Sequence, residues 1–232
     1  MIYTICTVAC GGPGLKLPGL YTSQTILDNT DNLLTPCQAY QKLLEDVDSD
    51  YLLYLHDDVT IHDPSWVSAL LSTFRKHPNC VAVGFGGATG LGNWNLHRQP
   101  YRLHNMARTG YASNQTDAEV HGERFNGERQ VAVLDAFCMA VSRDYLLGVG
   151  GWPTDHLTHH CLDLWLACQA ARDGKEIWMT GVSVTHHGGG SSTKSAYANA
   201  PWLQGGSMGS DHELPHRWLF ETYRDVLPIQ VP

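Results

Sequence analysis

His56-Asp57-Asp58-Val59 stands directly behind the apolar run at residues 51–55. Such a run reads as a buried strand, and in an open α/β sheet ligands collect outside the carboxyl ends of the strands. Acids placed there, with no Lys or Arg beside them, suit a divalent cation such as Mn²⁺ or Mg²⁺ that bridges protein oxygens to a nucleotide diphosphate. Asp58 and His56 are therefore candidate metal ligands; the alternative is a solvated acidic turn before a helix that Asp63 caps. A second acid, Asp28, ends an earlier apolar run and belongs to the same sheet edge. Its carboxylate could accept an N–H from a nucleobase or close an Asx turn with Asn29 and Thr30. His186-His187 ends another run, before three glycines. One of these imidazoles, His186, could complete a metal shell with Asp58, or the pair could simply face solvent. His160 and Asp163 sit one helical turn apart in an expected helix, as a base-and-orienter pair would. Asp135, between two apolar runs, is a further candidate base.

Residues 93–116 contain Arg98, Arg102, Arg108, His97 and His104, no acid, and the aromatics Trp94, Tyr101 and Tyr111. That mixture stacks on sugar rings and also binds phosphates and unstacked bases. It reads as a lid over an anionic ligand, as a saccharide acceptor site, or as a site for nucleic acid carrying a hydroxylated base.

These groups need a scaffold, and the hydrophobic pattern supplies one. Strands are expected over 2–9, 22–27, 51–55, 81–85, 131–134, 137–141 and 177–185, and helices over 35–47, 158–172 and 215–226, with another opening at Asp63-Pro64 and carrying Trp66, Val67, Leu70, Leu71 and Phe74 on one face. Thr35-Pro36, Asp63-Pro64 and Thr158 provide the helix starts. Short strand–helix alternation means an α/β sheet covered by helices. The segment at about 93–130 lacks periodicity and is too long for an ordinary connection. The chain has 232 residues, enough for one substantial core, with 43% hydrophobic and 16% charged residues, which excludes disordered and fibrous classes. A net charge of −8 with His neutral argues against a generally basic nucleic-acid binder. Thirteen His direct attention to metals, whereas seven Cys without a CxxC pair read as small buried hydrophobes. No signal-peptide pattern and no membrane-length apolar run occur, so a soluble, cytoplasmic protein is expected.

Taken in order, these pieces resemble a glycosyltransferase of the GT-A fold, in the large family 2 and its relatives, over nearly the whole chain. Asp28-Asn29-Thr30-Asp31 resembles that family's V-D-N-x-S turn, and Tyr40-Gln41-Lys42 lies where it often has Tyr-Asn and a small residue. The run 50–59, ending His56-Asp57-Asp58-Val59, is similar to the strand and D-x-D motif in an H-x-D-V form. Residues 133–143 resemble the acceptor-side strand, Gly150-Gly151-Trp152-Pro153 the G-G-F/W turn, and residues 160–166 the E-D-x-D-L-x-L helix start. Residues 182–191 resemble the V-x-H-x-G-G-S ending. The family's usual base, the first Asp of the helix-start motif, is replaced by Cys161, and a neutral thiol is a poor base unless its pKa is lowered.

The resemblance implies a single GT-A (Rossmann-like) α/β domain with a central, mostly parallel sheet flanked by helices. Residues 1–92 would form a nucleotide-sugar and metal half, 93–130 an irregular lid or acceptor segment, and 131–232 an acceptor and catalytic half. It further implies metal-dependent, inverting hexosyl transfer from a nucleotide-sugar, with UDP the expected nucleotide, to a saccharide or other hydroxyl acceptor. Asp58, His186 and His56 would hold Mn²⁺ or Mg²⁺; Thr7, Asp28, Asn29, Tyr40 and Asp57 would contact the donor; Asp163, His160 or Asp135 would supply the base. Trp202, Trp218 and the Gly-rich stretches 188–190 and 205–209 are candidates for shaping the acceptor site. Two other readings share these residues: a metal-dependent phosphoesterase, and a non-catalytic sugar-nucleotide or glycan-binding module.

Overall fold

The computed structural model describes residues 2–10, 14–19, 21, 23–92, 103–105, 111–113, 124–187 and 208–232, with the backbone alone for 104–105, 111–113 and 208–213. The first half runs β1 (Tyr3–Ala9), β2 (Gln24–Asp28), α1 (Pro36–Asp46), β3 (Tyr51–His56), β4 (Val59–Ile61), α2 (Trp66–Lys76), β5 (Cys80–Gly84), β6 (Gly86–Ala88) and β7 (Gly90–Gly92). Then come β8 (His104–Asn105), β9 (Tyr111–Ser113), β10 (Glu128–Val131), β11 (Val133–Leu134), β12 (Cys138–Ser142), α3 (Arg143–Gly148) and α4 (Leu162–Arg172). β13 (Glu176–Thr180), β14 (Val184–His186), α5 (Met208–Tyr223) and β15 (Ile229–Gln230) complete the order.

A seven-stranded sheet in the order β10-β13-β5-β12-β3-β1-β2 forms the centre. β1 pairs in parallel with β2 and β3, and β5 with β13; β12 is inserted antiparallel between β3 and β5, and β10 lies antiparallel at one edge. The strands other than β10 and β12 therefore run one way. Their carboxyl ends, at Ala9, Asp28, His56, Gly84 and Thr180, share one rim. Because β12 runs the other way, its entry turn at Asp135 comes to that same rim.

Alternation along β3 explains why the sheet sits in the middle. Leu52 and Tyr54 pack into one hydrophobic layer and Leu53 and Leu55 into the other, all at most 1% exposed. A strand buried on both faces must read as a continuous apolar run. One layer holds Leu43 and Leu44 of α1, Trp152, and Trp165 of α4; the other holds Trp66, Leu70 and Phe74, at i, i+4 and i+8 of α2. Each such side chain contributes about 1.5–3 kcal/mol when buried.

α1 starts as its sequence predicts. The Thr35 side chain accepts from the Gln38 amide at 3.1 Å, and Gln38 accepts from the Thr35 amide at 3.0 Å, closing a capping box with Pro36 at the first position.

Four expectations are corrected. Asp63 is not the cap of α2 but closes an Asx turn ahead of it, accepting from the Ser65 amide at 2.8 Å. Thr158 does not begin the next helix: α4 starts at Leu162, after Cys161 in the left-handed conformation at φ 70°. Residues 177–185 form two strands in different sheets, β13 and β14, because the chain leaves the sheet after Thr180. The last helix begins at Met208 and carries Pro215 within it. A short helix, α3, was not anticipated; the Ser142 side chain caps it by accepting from the Tyr145 amide at 3.3 Å.

Replacing Thr35 by Ala removes one half of the capping box. The expected loss is about 1 kcal/mol, read as a fall in Tm of about 2–4 °C for a chain of this size.

Candidate active site

Antiparallel pairing of β14 with β4 sets His186 opposite Val59, while the His187 amide donates to the Asp58 carbonyl at 2.9 Å. This brings the two strand-end motifs together. Nε2 of His186 lies 3.3 Å, and Nδ1 of His56 3.9 Å, from Oδ1 of Asp58. That oxygen is buried and accepts no well-directed hydrogen bond from the described residues. One ligand atom from each of His56, Asp58 and His186 can be chosen within 4.8 Å of the others. Metal–ligand bonds of ~2.1 Å allow donors to stand up to ~4.2 Å apart, so little movement closes a shell. A buried carboxylate oxygen facing two imidazoles fits a divalent cation. The donor set, two nitrogens and one oxygen, is softer than Mg²⁺ prefers.

Neighbouring groups favour the ligand forms of Asp58 and His56. Burial disfavours the charge on Asp58, but His186 and then His56 outweigh it and hold its pKa below the usual carboxylate range. Burial, and then His186, hold His56 below the ordinary imidazole range. A neutral imidazole and a charged carboxylate are the species that bind metal. The His186 ring is locked in place by stacking on the fully buried Phe137 at 4.9 Å. The Phe137 carbonyl in turn accepts from the His56 amide at 3.1 Å.

Asp135 and Asp163 face a common cavity of about 150 Å³. Its walls are Gly87 and Ala88 of β6, Val133 and Leu134 of β11, and Leu164 in the first turn of α4. Burial, reinforced by the charge of Asp135, pushes the pKa of Asp163 up to about 7. That is the range in which a carboxylate can serve as a general base near neutral pH. Burial raises the Cys161 thiol, so it stays protonated and cannot take the base role of the residue it replaces. His160 precedes α4, across the left-handed Cys161, so the one-helical-turn relation to Asp163 does not exist.

The donor-side candidates divide. Asp57 Oδ2 accepts from the Cys10 amide at 2.8 Å, tying the ends of β1 and β3 together. Asp28 is exposed and closes the Asx turn: Oδ1 accepts from the Thr30 amide at 3.0 Å and its hydroxyl at 2.8 Å, which lowers its pKa. Both ends of the Asn29 amide are committed to Leu34, at 2.9 and 3.0 Å. Tyr40 is 6% exposed and stacks on Tyr54 at 4.5 Å, within the aromatic core. Thr7 is 3% exposed, mid-strand in β1, and its hydroxyl has no hydrogen-bond partner among the described residues.

The sequence model of a glycosyltransferase-like family matches residues 15–205. The chain belongs to that family. No curated protein matches it in sequence. Among solved structures it is similar to GalNAc-T7 crystallised with UDP, GalNAc and Mn²⁺, at 8% identity and a TM-score of 0.52. The likeness covers 79% of this chain and 42% of that one, so this glycosyltransferase-like chain spans less than half of the GalNAc-T7 chain. It is also similar to A197 from STIV, at 13% identity and a TM-score of 0.47, over 80% of this chain and 85% of that one. At these identities the likeness to GalNAc-T7 concerns the fold, a mixed α/β architecture around a mostly parallel sheet.

For this glycosyltransferase family member, two parts of the site escaped the sequence. Phe137, the platform for His186, looked like one more strand residue, and Leu164 stood out only as part of the helix-start motif, not as a wall of the cavity. Arg98, Arg102, Arg108, His97, Trp94, Tyr101 and Trp202 lie outside the described residues, as do the side chains of His104 and Tyr111 and the 188–190 stretch. So does the 205–209 stretch, apart from the backbone of 208 and 209. Trp218 is described, and it stacks on His156 at 4.3 Å. Among the described residues, no helix is long and apolar enough to cross a membrane.

Two outcomes test this geometry without any activity. Mn²⁺ should raise the Tm of the native protein, and Asp58→Asn should abolish that rise. Asp163 has a folded pKa above its unfolded value, so it weakens folding as pH climbs from about 4 to about 7. Asp163→Asn, which cannot ionise, should gain Tm relative to native protein across that window and keep the gain at pH 8.

Proposed function

We propose that this protein is a metal-dependent, inverting glycosyltransferase that moves a hexosyl group from a UDP-sugar to a hydroxyl of a saccharide. The observation that carries this reading is the meeting of His56, Asp58 and His186 at the sheet rim, within a glycosyltransferase-like family. UDP and Mn²⁺ accompany the structurally similar GalNAc-T7, which supports the same pair here. The two-imidazole donor set favours Mn²⁺ over Mg²⁺.

A cation held by His56, Asp58 and His186 would supply positive charge where the leaving diphosphate gains negative charge. The chain's own residues do the rest. Asp163 takes the proton from the acceptor hydroxyl. The oxygen forms a bond to the anomeric carbon as the bond to the phosphate oxygen breaks, and the electron pair leaves with the nucleoside diphosphate. Attack comes from the face opposite the leaving group, which inverts the anomeric centre. Asp135 keeps Asp163 basic enough for the task. Thr7, with its buried hydroxyl, Asp28 and Asp57 are the proposed donor contacts. For Asn29 and Tyr40 we propose a supporting part, holding the loop and α1 that frame the donor.

The test is nucleotide release from a panel of UDP-, GDP-, TDP- and CMP-sugars with Mn²⁺, Mg²⁺ or chelator. Release from a UDP-sugar is expected, greater with Mn²⁺ than Mg²⁺ and absent in Asp58→Asn. Phosphate release from simple esters with no sugar-nucleotide dependence would instead mean a phosphoesterase. Binding of UDP and Mn²⁺ without turnover, with any acceptor, would mean a binding module.

A second expectation concerns pH. Transfer should rise with pH through a limb near 7, the pKa of Asp163. Asp163→Asn should lower kcat by about 10²–10⁴-fold and leave the UDP–Mn²⁺ thermal shift intact, whereas Cys161→Ser should retain most activity.

A further inference from the structure

Phe137 supports both imidazoles of the metal cluster, one through its backbone and one through its ring. Its carbonyl accepts from the His56 amide at 3.1 Å, which extends the β3–β12 ladder one step beyond the pair of Cys138 and Leu55. Its ring stacks on His186 at a centroid distance of 4.9 Å, with the two planes 22° apart. The His186 ring in turn meets that of His56 at 5.4 Å and a steep 62°. Phe137 itself is fully buried, in the layer that also holds Leu55, Val59, Phe85 and Val184.

An imidazole binds a cation along a nitrogen lone pair, in the plane of the ring, so the plane decides where a cation can sit. A His side chain otherwise turns about two bonds and carries that plane with it. Here the stack sets the plane of His186, with Nε2 3.3 Å from Oδ1 of Asp58. The backbone bond sets the strand end from which His56 brings Nδ1 to 3.9 Å of the same oxygen. A bound cation also draws electron density out of an imidazole, and the electron-rich face of a phenyl ring attracts it more strongly in that state. The stack therefore favours the loaded site over the empty one.

Resting on the metal-dependent transferase reading above, we infer that Phe137 is a positioning residue whose ring holds His186 in the orientation that binds the cation, and so sets the affinity of the site for Mn²⁺. It acts through His186 and does no chemistry itself. Removing an outer-shell partner of this kind weakens metal binding by roughly 10–100-fold.

The test is the Mn²⁺ affinity of the whole protein, read from the electron paramagnetic resonance signal of free Mn²⁺, in native protein and Phe137→Leu. Phe137→Met is a second variant without the ring, should the first fail to fold. The variant should bind Mn²⁺ about tenfold more weakly or worse. Co²⁺ serves as a second probe. At saturating Co²⁺ the visible absorption of the variant should differ from that of native protein, because a ring freed from its platform changes the geometry around the ion. The Tm of the metal-free proteins is measured alongside. A fall in that Tm with native Mn²⁺ affinity and a native Co²⁺ spectrum would mean that Phe137 only fills the core, and overturns the inference. The two levels separate on the native protein. If it binds no Mn²⁺, the metal-dependent reading fails and this inference with it; if it binds and the variant binds equally well, this inference alone falls.

Discussion

Backbone pairing between β14 and β4 joins two strand ends that lie well over a hundred residues apart in the chain, setting His186 against Val59 and the His187 amide on the Asp58 carbonyl. Side-chain contacts support the same register: Thr60 meets His187 at 3.0 Å and His62 meets Thr185 at 2.8 Å. Because side chains alternate across a strand, a slip of one residue would turn His186 away from Asp58 and dissolve the cluster. Everything chemical at the rim follows from that register. The Phe137 platform fixes the ring of His186, and the turn after Asp135 delivers Phe137.

Charge at the rim is set by burial and by close neighbours. Asp135 and Asp163 line one cavity, and imidazoles are the groups near Asp58. Carboxylates placed so must find a cation, share protons, or both. Asp58, facing two imidazoles, is suited to the first course, and Asp163, pushed up to about 7, to the second.

The scaffold beneath this rim is stiff. Tyr40, Tyr54, Trp152 and Trp165 interlock at centroid distances of 4.5–5.6 Å, and the Trp152 indole N–H donates to the Tyr54 hydroxyl at 3.2 Å. Gln41 accepts from the Trp152 amide at 2.8 Å, beside Gly151 at φ 85°, where a Cβ would collide with the Gln41 carboxamide. This packing holds the start of α4, where Cys161 sits left-handed at a cost of about 1–2 kcal/mol. That strained residue directs the chain so that Asp163 enters the first turn facing the cavity.

Much of this was legible in the residues alone. Continuous apolar runs ending in Asp28 and His56-Asp57-Asp58 specify buried strands with acids at their carboxyl ends, because strand burial and backbone direction are local properties. The Thr35 capping box is equally local. The start of α4 was not, because nothing in Thr158 or His160 reveals that Cys161 is forced left-handed by its surroundings. Nor could the sequence separate β13 from β14, since one apolar run can feed two sheets. Partnership between His186 and Asp58, the seat of Phe137 under the imidazole, and the meeting of Asp135 with Asp163 were decided only by tertiary structure. Each depends on pairing between segments distant in the chain, and hydrophobic periodicity encodes which face is buried but not which distant strand will cover it.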